Sequence, residues 1–141
     1  MISFKKTMSL DEKITFIEAL TYILSIGGKE TTLRQEYILR QSFECDLETK
    51  ELKMVKKLKK ADDLIKKLKA IMNNKTKRFI LREMILLAVI DHEITDSEMC
   101  QIYEIGCGAG IKQEKINDFF LWAAKGVEWQ MEGANLVEAD F

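Results

Sequence analysis

Apolar residues return every three or four positions along most of this chain, the period of helices buried on one face. Leu10, Ile14, Ile17, Leu20 or Thr21, and Leu24 form the first such stripe. Ser9 and Glu12 fit a capping box, in which hydroxyl and carboxylate each satisfy an orphan backbone N–H. Gly27-Gly28 ends that helix. Thr32 and Gln35 make a second capping box and open a helix over 33–43, with Leu33, Tyr37 and Ile38 inward. Asp46 is placed to cap a third helix from about Leu47. Residues 48–72 keep a stripe at Leu52, Val55, Leu58, Leu64 or Ile65, Leu68 and Ile71, as one helix or as two with a break near Ala61-Asp62. Asn73-Asn74 is a stop. A helix over 76–90 is apolar on nearly all sides in its last two turns, which marks a central, buried element. Thr95 and Glu98 form a third capping box for a helix to about Gly106, followed by a loop at Gly106, Gly108 and Gly110. The last helix covers about 113–131, with Ile116, Phe119, Phe120, Ala123 and Val127 inward and a loosely held tail over 132–141.

The pattern contains a weak internal repeat. At an offset of 63 residues Glu30 falls on Glu93, Thr32 on Thr95, Gln35 on Glu98, and Ile23-Leu24 on Leu86-Leu87. In both places an apolar helix ends in a short turn and a capped helix follows. The expected architecture is all-α: six to seven packed helices with two approximate helix-turn-helix repeats, in one domain over 1–141 with its core over about 9–131.

Composition supports this. Proline is absent and the chain has only seven glycines, so few residues interrupt a helix. At 141 residues it can bury a core without disulfides or metal. Cys45, Cys100 and Cys107 form no CxxC pair, which points to a reducing compartment. Met1 to Leu10 has no apolar run of signal-peptide length, and the longest apolar run, 84–90, is too short to span a bilayer. A cytoplasmic location is expected, with contact to a membrane surface left open. The net charge of −1 is unevenly spread: −2 over 1–49, +9 over 50–78 and −8 over 79–141.

Candidate chemistry gathers at Asp91-His92-Glu93-Ile94-Thr95-Asp96-Ser97-Glu98, four carboxylates and the only histidine within eight residues. Such oxygen-rich clusters suit Ca²⁺ or Mg²⁺, and an added imidazole would suit Zn²⁺ or Mn²⁺. Asp91 and Glu93 would supply ligands from the turn, with Glu98 or Glu30 completing the shell and His92 as a weaker addition. An EF-hand is excluded: counting from Asp91, position 6 is Asp96 rather than Gly and position 12 is Ile102 rather than Glu. The competing account gives Thr95 and Glu98 to a helix cap, Asp96 to the helix dipole and His92 to an exposed turn. The second candidate is a basic face. Lys53, Lys56, Lys57 and Lys60 share one side of a helix and would attract an anionic membrane surface, or else dock on the acidic C-terminal third. Nucleic acid is disfavoured by the lack of aromatic interleaving and of any recognised motif. The cysteines read as small buried hydrophobes; Trp122 and Trp129, two turns apart on one face, would form either an exposed partner-binding stripe or, as helical aromatics more often do, part of the core. No nucleophile–base constellation is present, and the glycine-rich 106–110 follows a helix rather than a strand.

The run Leu86-Leu87-Ala88-Val89-Ile90, then Asp91-His92-Glu93-Ile94, then Thr95-Asp96-Ser97-Glu98 with Ile102 and Ile105 before Gly106, resembles the core signature of TerB-like tellurite-resistance domains. The resemblance covers roughly 10–130, its specific part about twenty residues. It departs from the family pattern at His92, where glycine is usual, and at Gly28, where an aspartate is expected, so a second acidic cluster is largely missing. The resemblance implies an all-helical fold with two related halves and acidic residues proposed to bind divalent cations. It also implies a setting in tellurite resistance and stress response, often near a membrane. The function expected is a non-enzymatic module that binds a divalent cation, a protein partner or both at the acidic turn. The alternative is a metal-free helical adaptor that docks to an anionic membrane or nucleic acid through the lysine-rich helix.

Overall fold

The computed structural model describes residues 4–27, 31–91 and 94–139, and contains eight helices among them: α1 (Phe4–Thr7), α2 (Leu10–Ile26), α3 (Thr32–Glu44), α4 (Thr49–Leu52), α5 (Ala61–Ala70), α6 (Asn74–Val89), α7 (Asp96–Gly108) and α8 (Gln113–Glu138). The all-α expectation holds. Two of the eight, α1 and α4, are single turns of four residues, so the larger helices number six.

The centre is the pair α2 and α6, packed side by side. Phe16, Ile17, Leu20 and Ile23 meet Ile80, Leu81, Met84, Ile85 and Leu87, all fully or nearly fully buried. Each such side chain contributes on the order of 1.5–3 kcal/mol relative to exposure. α6 is thus the buried helix that its all-round apolar pattern predicts. Helix α3 covers α2, α5 covers α7 and α2, and the first half of α8 lies on α6 and α7. A Cβ on Gly106 would stand 2.7 Å from Ile116 Cδ1, so the missing side chain there is what lets α7 and α8 approach.

The helix-turn-helix repeat is present, but one residue out of the expected register. The second cap is Thr31, whose hydroxyl accepts from the Arg34 N–H, not Thr32 with Gln35. Helices α3 and α7 are both 13 residues long, and their caps Thr31 and Thr95 are 64 positions apart. At that offset Glu30 no longer matches Glu93.

Other expectations are corrected. Asp46 does not cap a helix; at φ 58° it ends α3, and Leu47 N–H reaches back to Ser42 O. Helix α7 runs through Gly106 to Gly108, and α8 continues past Met131 to Glu138. Leu10 and Leu33 are exposed rather than inward, as are Trp122 (49%) and Trp129 (75%). Cys45 is buried as expected, whereas Cys100 and Cys107 are exposed.

The largest correction concerns the basic segment. After α4 the chain runs non-helically through 53–60 before α5 begins, so Lys53, Lys56, Lys57 and Lys60 do not form a helical face. Glu18 of α2, fully buried, is the physical reason. Its carboxylate accepts the Lys56 backbone N–H at 2.9 Å and the Lys67 ammonium at 2.6 Å. A helix through 53–60 would need that N–H for its own ladder. Val55 and Leu58 still turn inward against the core, which preserves the stripe without the helix.

Candidate functional site

The acidic turn closes on an arginine. Arg34 sits in the first turn of α3, is fully buried and reaches across to the second repeat. Its Nη1 donates to Glu98 Oε2 at 2.9 Å, and its Nη2 donates to the Ala88 carbonyl at 2.9 Å and to Glu98 Oε1 at 3.4 Å. Its Nε lies 3.3 Å from Asp91 Oδ2, to which the Thr31 hydroxyl also donates at 3.4 Å. Glu98 is likewise fully buried and does a second task. Its Oε1 accepts the backbone N–H of Thr95, while its own N–H donates to the Thr95 hydroxyl, completing the capping box expected for α7.

The corrected repeat explains the pairing. Arg34 and Glu98 occupy the same place, third in their helices, in the two halves. The two helix starts therefore face each other, and a cation in one half meets a carboxylate in the other. Gly27 makes room for this: a Cβ there would lie 2.7 Å from Arg34 Nη1 and 3.0 Å from Glu98 Oε2.

Of the five residues proposed as metal ligands, Asp91 and Glu98 are brought together, and both face the guanidinium. Glu30, His92 and Glu93 lie outside the described residues. Among the described residues no group of three or more metal-ligating side chains converges. Arg34 was the residue that sequence reading missed. Its signal was positional: a cation in the first turn of a helix opposes the helix dipole and calls for a carboxylate elsewhere.

Beside the turn lies an apolar groove of about 570 Å³. One wall is the end of α6 (Leu86, Val89 and the C-cap Ile90) with Tyr37 of α3, and the other is α8 with Trp122 and Trp129. The Arg82 guanidinium stands over the Trp122 ring, 5.8 Å from its centroid. Next to Tyr37, Glu83 is 4% exposed, and the phenol and carboxylate face each other without full hydrogen-bond geometry. Burial pushes the Glu83 carboxyl above its ordinary value, against the opposing pull of Arg82, Lys5 and Tyr37. A carboxyl raised on folding contributes stability that is complete below the unfolded value of about 4.3 and is lost as pH rises through the folded value. Glu83→Gln is therefore expected to melt a few degrees above the parent at pH 7, with the gap closing towards pH 4. Thermal melts of both proteins across that range check this, and a variant less stable at pH 7 would contradict it.

No family model, curated protein or solved structure matches this chain. Among the described residues no helix is long and apolar enough to cross a membrane.

Proposed function

We propose that this chain is a non-enzymatic, TerB-like helical module that binds a protein partner where the acidic turn meets the groove. The observation that carries the reading is the groove itself. Its lining is mostly apolar, α3, α6 and α8 form it, and the two tryptophans on its border are about half exposed (Trp122) and three-quarters exposed (Trp129). A monomer gains nothing by leaving such rings in water, whereas tryptophan is enriched among the residues that anchor protein interfaces. The occupant that fits is an amphipathic helix laid along α8, its apolar face on Trp122 and Trp129. The paired helix-turn-helix units and the Leu86-to-Glu98 run support the TerB-like part of the reading, and with it a stress-response setting.

Of the two uses open to the acidic turn, partner contact is preferred to cation binding. A divalent ion at Asp91 and Glu98 would have to displace a buried guanidinium. A thermal-shift panel of Ca²⁺, Mg²⁺, Mn²⁺ and Zn²⁺ separates the two: a rise that Asp91→Asn abolishes would favour the cation.

The partner test is photo-cross-linking from position 125, whose Lys125 lines the groove without being one of its anchors, in cells that make the protein, then reconstitution with the purified cross-linked protein. Trp122→Ala combined with Trp129→Ala is expected to weaken that complex about 30-fold or more. Equal affinity of parent and variant, or no cross-linked protein, would overturn the reading.

A further inference from the structure

The glycine-rich stretch that trails α7 forms, with the start of α6, one side of a second pocket, of about 340 Å³. Lys77 and Arg78 enter it from the first turns of α6, Lys112 from the α7–α8 loop and Lys115 from the first turn of α8. No carboxylate lines it. None of the four cations makes an ion pair among the described residues, in a chain with 23 acidic side chains for 22 basic ones. Elsewhere Lys5, Lys67 and Arg34 all find carboxylates.

The arrangement is electrostatically self-opposed. Lys112 and Lys115 sit at the N-terminal end of α8, where the dipole is already positive and Glu114 is the one acidic residue of the first turn, and the first turn of α6, below Lys77 and Arg78, has no acidic residue at all. Helix α8 starts without a side-chain cap, because Lys112 at its N-cap position has no acceptor to offer. Gly110, at φ +96°, has nothing within 4 Å of a would-be Cβ, so the rim stays open there and a side chain would be strained. Four like charges around one cavity with no carboxylate in its lining form a place that an anion completes.

We propose that this pocket binds the polyphosphate group of a small molecule, independently of the partner-binding groove. Two linked phosphates carry enough negative charge to meet four cations. Arg78 offers a planar fork to phosphate oxygens, and the three lysines offer point charges. The volume is at the lower end of small-molecule sites, which suits a pyrophosphate or the phosphate tail of a nucleotide rather than a larger ligand.

The experiment is calorimetric titration of the full chain with inorganic pyrophosphate at about 50 mM salt, with ADP and inorganic sulfate as further arms. One site is expected, with sulfate at least tenfold weaker. Tighter binding of ADP than of pyrophosphate would assign the natural ligand to nucleotides, and the reverse to inorganic or other phosphorylated molecules; either supports the site. Arg78→Gln with Lys112→Gln is expected to weaken pyrophosphate at least tenfold, and to melt above the parent in ligand-free buffer because the repulsion is relieved. Lys53→Gln with Lys57→Gln, in the basic segment, is expected to leave affinity within twofold. No binding at 5 mM pyrophosphate, sulfate binding as tightly, or equal losses in the two double variants would each overturn the proposal.

Discussion

Arg34→Met is expected to cost about 3–5 kcal/mol and to lower the thermal midpoint by roughly 10 °C or more. The figure follows from what is left behind. Glu98 is fully buried, and without the guanidinium its carboxylate keeps only the groups of its own capping box. The Ala88 carbonyl loses its donor, and Asp91 loses the charge 3.3 Å away. Glu98→Gln removes one charge but preserves shape and part of the cap, so its cost should be somewhat smaller. Urea melts of the parent, the two single variants and the double variant measure the coupling. The two substitutions should be strongly non-additive, by more than 1 kcal/mol, because each removes the other's partner. Single variants within about 1 kcal/mol of the parent, or additive losses, would show that the pair does not clamp the two halves together.

That clamp also shows where sequence reading worked and where it stopped. The capping boxes at Ser9 and Thr95 were legible because their hydrogen bonds close within four residues. The burial of α6 was legible because it is apolar on every side. At the start of α3 two threonines are adjacent, and a pattern of hydroxyl and glutamine favoured Thr32. The structure uses Thr31, since only that register puts Arg34 third in the helix and opposite Glu98. The difference of one residue decides which side chain faces the acidic turn, and the energy that decides it comes from a contact 64 residues away. The tryptophans of α8 failed for another reason. Periodicity reports which face of a helix is apolar, but not where along the helix the rest of the domain ends. Beyond Val127, every residue of α8 is exposed.

The basic segment is the second place where a distant contact overrides local propensity, and it carries the other large expected effect. Glu18→Ala is expected to destabilise by about 2–4 kcal/mol, since it strands the Lys56 N–H and opens a cavity at the face of α2. Its more specific consequence is local. The segment 53–60 is held to the core by that one backbone contact and by the partly buried Val55 and Leu58. Without the carboxylate it should detach before the rest unfolds. Lys53, Lys56, Lys57, Lys59 and Lys60 make it a run of trypsin sites, so limited proteolysis under native conditions should cut there several-fold faster than in the parent. Lys67→Met leaves the buried carboxylate with only the Lys56 N–H and should be intermediate. Glu18→Gln keeps an acceptor for that N–H and should be mildest. The order of cleavage rates, Glu18→Ala above Lys67→Met above Glu18→Gln, separates pinning from a general loss of stability. If all three variants were cut in proportion to their global stability alone, Glu18 would be an ordinary buried ion-pair partner.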